Sequence, residues 1–179
     1  FRPKDSEINK ELLYLQKNTF YFLDSVNFFS LLSAHLLFLV RFPVRYLQTF
    51  SFAVRKRENK GLFIRTLLNI VFKRIDISRQ QRQDILLHFL ISVQLARNLL
   101  DSDISHIHAH LADATSSFAM LSAKLLNLPF SITMHAYDVF TKQANFEDKL
   151  CLSKFIITCT QYNKQYLLEK YSNLDFSKI

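Results

Sequence analysis

A single glycine, Gly61, stands in a chain of 179 residues. Average usage predicts about a dozen. Glycine lets backbone amides close around phosphate groups, so a GxGxxG dinucleotide loop and a P-loop are both excluded here. A GxSxG nucleophile elbow is excluded for the same reason. If the protein handles a nucleotide, the loop meeting its phosphates is of another kind or lies outside this chain.

With 49% hydrophobic and 21% charged residues, the chain has a globular composition rather than a disordered one. Its apolar surface is strongly aromatic, with 18 phenylalanines and 7 tyrosines but no tryptophan. Cys151 and Cys159 match no zinc spacing, and their apolar neighbours predict buried free thiols. Neither has an obvious base beside it, so nucleophilic chemistry is not expected of them. The opening "FRPKDSE", with no initiator methionine or signal-peptide pattern, is what a piece of a longer protein would show.

Charge is unevenly placed. Residues 1–100 carry a net +9 and residues 101–179 a net −1. Most of the excess falls in residues 41–74, where nine basic residues face only Glu58. Arg41, Arg45, Arg55, Lys56, Arg57, Lys60 and Arg65 are interleaved there with Phe42, Tyr46, Phe50 and Phe52. This pattern fits a helix lying on an anionic bilayer, or an ordinary solvated helix face. Nucleic acid is not expected as a partner, because no recognition module accompanies the charge. The apolar run "FFSLLSAHLLFLV" just before it is too short to span a bilayer, which takes roughly 20 residues.

Hydrophobic spacing predicts helices over 5–24 (capped by Asp5 or Ser6), 26–41, 44–57, 62–74 and 79–100 (capped by Ser78). The texture changes at Asp101. Three β-rich runs follow, at 106–110, 129–136 and 154–160, separated by an amphipathic helix at 117–128 and a short helical piece around "FEDKL". A last helix is predicted over 161–172. This β-α-β-α-β-α order predicts an α/β fold, a parallel sheet with helices on its faces. Residues 1–100 are then a helical, basic and aromatic region, and 101–179 the sheet-forming portion.

Ligands of such sheets bind outside the carboxyl ends of the strands. Those ends deliver His110, Asp113 and Thr115, then His135 and Asp138, then Thr160 and Asn163. Two imidazoles, two carboxylates and several hydroxyls at one rim suit a polyhydroxylated ligand or an anion. The helix starts after Asp113 and Thr160 favour negative charge nearby. His106, His108 and His110 share one strand face but span about 13 Å. One metal cannot take all three, since ligands sit about 2 Å from zinc. His106 and His108 are expected to pack at the sheet entrance, and His110 to enter the cleft.

The stretch "ISHIHAHLADATSSFAMLSAKLLNLPFSITMHAYDVF", followed by "FIITCTQYNKQYLLEKY", resembles the N-terminal domain of family-4 glycosyltransferases of the GT-B fold, of the type that builds exopolysaccharides. The resemblance is specific over residues 104–172 and looser over 3–100, which is similar to a membrane-facing insertion in that family. It implies a Rossmann-like domain and a retaining sugar transfer from a nucleotide-sugar donor to a glycan or lipid-linked acceptor, with no metal or other cofactor. His135 matches the family histidine against the transferred sugar, Asp138 the acidic position that closes its motif, and His110 the cleft-floor element. Asp113, Thr115, Thr160 and Asn163 would line the acceptor side. The family's first strand with its glycine-rich loop, and its donor-binding C-terminal domain, are absent from the chain. An acceptor-side fragment, inactive alone, is therefore expected, cytoplasmic in the whole protein and peripherally bound to the membrane through the basic residues named above. The alternative is a non-catalytic module that docks on membranes.

Overall fold

The computed structural model describes residues 15, 19–54, 79–141, 145–171, 177 and 179. Arg55, Lys56, Arg57, Lys60 and Arg65 lie outside the described residues, as do Gly61, the helix expected over 62–74 and most of that expected over 5–24. The part of 5–24 that is described departs from the expectation. Residues 19–21 are irregular and Phe22–Ser25 form a 3-10 turn, closed by the Ser25 hydroxyl donating to the Phe22 carbonyl at 2.6 Å.

Helix α1 spans Phe28–Arg41. Asn27 starts it with a reciprocal cap: its side chain accepts from the Ser30 amide, and the Ser30 hydroxyl accepts from the Asn27 amide, both at 2.9 Å. Pro43 opens α2, Pro43–Val54, at the position where a missing N–H costs nothing. The two helices meet at 118°. Helix α3 spans Arg79–Leu99 and buries Phe89, Ser92, Val93 and Ala96, at the helical spacing read from the sequence.

The sheet portion follows as β1 Ile107–His110, α4 Ala114–Leu126, β2 Phe130–Met134, α5 Ala136–Phe140, α6 Phe146–Leu152, β3 Ile156–Thr158 and α7 Gln161–Lys170. The three strands pair in the order β1-β2-β3, all parallel. The fold is thus α/β with a small parallel sheet, compatible with part of a Rossmann-like unit. Helix α4 stands where an amphipathic helix is predicted over 117–128, starting three residues earlier, and it is buried over most of its surface. Its serines, with Ala119 and Ala123, are buried along with Met120, Leu121 and Leu125, which makes it the central helix. Small side chains let α3 approach closely enough for the Ser122 hydroxyl to reach the Ser92 carbonyl at 2.9 Å. Residues from α1 and α3 share one core with those of the sheet and α7, from Ala34 and Phe38 through Ile132 to Leu167. The helical region therefore packs as a layer of the α/β unit.

Coverage of the sheet differs from the expectation. Ala109, Phe130, Ile132, Met134 and Ile156 turn one face into the core. The alternate residues form the other face, and among the described residues it stays open at His108, His110, Phe155, Ile157 and Cys159. Parallel sheets ordinarily bury both faces in apolar residues. Here the β1 positions on the open side are histidines, so leaving them in solvent carries little apolar penalty.

With so few glycines, the left-handed backbone falls to other residues. Leu111 has φ 80°, Asn127 φ 58° and Asn145 φ 55°. Asn127 ends α4 in this conformation, its amide donating to the Ala123 and Lys124 carbonyls.

Candidate functional site at the carboxyl rim of the sheet

Parallel pairing puts the three strand exits on one edge. The register pairs His110 with Thr133 and Met134 with Thr158, so His135 and Cys159 leave the sheet side by side. The His110 and His135 rings then meet, with Nε2 to Nε2 at 2.9 Å and centroids 4.8 Å apart. Such a contact requires one nitrogen to carry a proton and the other to accept it. On its far side, His135 Nδ1 lies 3.4 Å from Cys159 Sγ. This corrects two expectations from the sequence: both cysteines are exposed rather than buried, and Cys159 has a base beside it.

The other predicted residues divide into two groups. Asp113 caps α4 by accepting from the Thr115 amide at 2.8 Å, and Thr160 caps α7 by accepting from the Asn163 amide at 3.1 Å. His110, Thr115 and Thr160 are exposed and Asp113 is half-buried, so these four reach the rim surface. Asp138 and Asn163 are each 2% exposed. The Asp138 carboxylate accepts from the His135 backbone amide at 3.0 Å and fixes the turn that presents the imidazole. Among the described residues, Asn163 Nδ2 is enclosed without a hydrogen-bond partner. These two residues shape the rim from behind.

Sequence reasoning missed Lys149. It is fully buried, and its ammonium donates to the Ala112 and Asp113 carbonyls at 2.8 and 2.6 Å. Burial pushes its pKa down to about 8, against the opposing pull of Asp113 and Asp138. A cation is thereby held under the loop between β1 and α4, where it orients that loop's carbonyls inward. Nothing in "FEDKL" signals this, since a lysine in a short acidic helix ordinarily faces water.

His106 and His108 stand at the entrance of the sheet. Both approach the buried Ser131 hydroxyl at 2.7 Å, His108 also reaches Thr133 Oγ1 at 2.9 Å, and both rings stack on Phe155. Desolvation, with Lys154 and His108 nearby, holds His106 below the usual imidazole value. Among the described residues, no three His, Cys, Asp or Glu side chains converge as a metal-binding group.

Aromatic rings stand at the same rim. Tyr137, Phe140 and Tyr162 are exposed by 74%, 45% and 69%, and Phe140 lies 6.0 Å from Tyr162. A separate groove of about 370 Å³ lies at the opposite end of the sheet, where Arg45 and Lys124 face Thr49 and Pro129. Arg41 and Arg45 are exposed and both lie over the Phe42 ring, at 5.4 and 5.3 Å. No family model, curated protein or solved structure matches this chain.

Proposed function

We propose that the chain is the acceptor-side half of a retaining GT-B glycosyltransferase that works at a membrane surface. The observation that carries the reading is the pairing of His110 with His135 at the carboxyl rim of a parallel sheet, beside exposed rings. Sugars are recognised by hydrogen bonds to hydroxyls together with stacking of their C–H faces on aromatic rings. The rim offers both.

In this reading His135 is the catalytic residue. With Nε2 held by His110, the Nδ1–H of its ring would pass from Cys159 to the sugar or to the leaving phosphate, where negative charge develops, and such preorganised donors supply the largest catalytic term. His110 would hold the ring of His135, while Asp113, Thr115 and Thr160 engage acceptor hydroxyls. Asp138 and Asn163 would set the turn and the helix start on which the others ride. The nucleotide-sugar donor would meet its phosphate-binding loop elsewhere, since this chain carries no glycine-rich one.

The test is a titration of the histidine ring resonances with short glycans and with nucleotide-sugars. Shifts confined to His110 and His135, and lost in His135→Ala, support the reading. Unmoved rings across the whole panel reject it. Transfer of labelled sugar by the chain alone is expected to be absent.

A second reading is a membrane-surface module, favoured by α1. Phe28, Phe29, Leu32, Leu36, Leu39 and Val40 are all exposed and fall on one side of that helix. Among the described residues no single helix is long and apolar enough to cross a membrane, and α1 and α2 pass only together, across their bend. The exposed face and the arginines at its end fit a helix lying in the interface. The two readings are compatible in one protein, and vesicle binding without any glycan response would leave only the second.

A further inference from the structure

The rim contains a continuous row, thiol–imidazole–imidazole, of which the sugar-transfer reading uses the two rings but not the thiol. Cys159 Sγ lies 3.4 Å from His135 Nδ1, and His135 Nε2 lies 2.9 Å from His110 Nε2. Both ring nitrogens of His135 are thus engaged, one by sulfur and one by a second imidazole. Two neutral proton patterns satisfy the whole row. In the first, the thiol donates to Nδ1, and Nε2–H of His135 donates to His110. In the second, His110 donates to His135, Nδ1–H points to sulfur, and the thiol turns its proton to the Met134 carbonyl at 3.5 Å.

The first pattern is the arrangement that activates a nucleophile: a thiol against a base, and the base held by a third group. As sulfur attacks, its proton passes to Nδ1. The imidazolium so formed already has its Nε2–H on the neutral acceptor nitrogen of His110. Cys159 is exposed, so an electrophile can reach it. It also immediately precedes Thr160, the cap of the ten-residue α7, whose first amides favour negative charge on the sulfur.

We propose that Cys159, His135 and His110 form a nucleophilic site for electrophilic carbon compounds, with Cys159 the attacking atom, His135 its base and His110 the residue that positions the base. With an alkyl halide the S–C bond forms, the carbon–halogen bond breaks, halide leaves with its electron pair and the thiol proton stays on His135 Nδ1. No oxidant, reductant or metal takes part. The site stands independently of the sugar-transfer reading: glycans can move the histidine resonances whatever the thiol does, and the thiol can react whether or not glycans bind.

The probe is iodoacetamide, with the alkylation rate of each cysteine followed by peptide mass spectrometry at pH 7 on the folded chain and on the chain in guanidinium. Cys159 is expected to react at least about tenfold faster folded than unfolded, a modest share of what a positioned base can supply, while exposed Cys151 gains no such factor. His135→Ala removes the acceleration, and added imidazole restores part of it. His110→Gln, whose side-chain oxygen can still accept from Nε2–H, retains more of it than His110→Leu. Circular dichroism checks each variant; if His135→Ala does not fold, the wild-type ratio and the two His110 variants decide. A Cys159 no faster folded than unfolded, an equal gain at both cysteines, or an acceleration that survives His135→Ala overturns the proposal.

Discussion

The Lys149 ammonium sits 2.6 Å from the Asp113 carbonyl with no access to solvent. It ties the loop that follows β1 to α6, and through Asp113 it steadies the cap of α4. Its pKa, about 8 in the fold, lies below its ordinary 10.5. Between those values the unfolded chain holds the proton and the folded chain does not. Stability therefore rises with pH across that window, by about 3–4 kcal/mol at most, at 1.36 kcal/mol per pKa unit. Below pH 8 both states are protonated and the burial penalty is fully present. Urea unfolding at several pH values checks this, and Lys149→Met is expected to flatten the rise. A rise unchanged in Lys149→Met would assign it to other groups.

Two further histidines set the acid limit. His35 is half-buried, with Nδ1 2.8 Å from the Tyr46 hydroxyl, and burial holds it below the ordinary value. His88, edge-on to Phe118, is lowered by burial and by Lys149, against the raising pull of Asp84 and Asp113. For both, the unfolded state takes a proton that the folded state resists. Their stability contribution is present above about pH 6.5 and is lost as pH falls below it. Replacing His35 with Leu should make the acid-side loss of stability shallower, measured as the slope of unfolding free energy against pH between 6.5 and 5.

The exposed face of α1 makes a quantitative claim about vesicles. Phe29 is 79% exposed and Val40 81%. Inserting one such side chain into the interface contributes about 1.5–3 kcal/mol, so Phe29→Ser should weaken partitioning to anionic vesicles by roughly tenfold or more. Reversing Arg41 and Arg45 to Glu should weaken it too, at about 1 kcal/mol per lost basic residue. Salt screens the arginine effect and leaves the Phe29 effect standing. Equal binding of wild type and Phe29→Ser, read by sedimentation with vesicles, would remove α1 from the interface.

Left-handed backbone at Leu111 and Asn127 predicts opposite responses to substitution. Asn tolerates this region better than Ala, so Asn127→Ala should cost about 1 kcal/mol. Leu111 carries a Cβ where glycine would fit freely, and relief of about 1–2 kcal/mol is offset by about 0.5–1 kcal/mol of unfolded-state entropy. Leu111→Gly should therefore be neutral or slightly stabilising, although it removes a leucine that is 39% exposed beside the site. Equilibrium denaturation of the two variants tests the pair, and a destabilised Leu111→Gly would mean that the side chain packs more than its exposure implies.

Strand and helix order was legible from residue 101 onward because period-two and period-3.6 patterns are local and alternate cleanly there. The starts of α1 and α2 were near their predicted places, since Asn27 and Pro43 act through the backbone beside them. The centrality of α4 was not legible. Its buried serines look like a solvated face, and only the close approach of α3 gives them a dry environment. Lys149 misled for a related reason: the carbonyls that accept its protons lie 36 and 37 residues away.

The site shows the same division. Which residues stand at strand exits follows from the chain alone, because side chains alternate along a strand and a parallel sheet gathers its carboxyl ends. That His135 touches His110 on one side and Cys159 on the other depends on the register of three strands, each pairing bridging 24 or 25 positions. A one-residue slip would turn those side chains to the opposite face of the sheet. Local spacing specifies the elements and what they can carry. The packing that sets register and burial chooses which side chains meet, and so makes a linked row from a cysteine and two histidines that the sequence keeps apart.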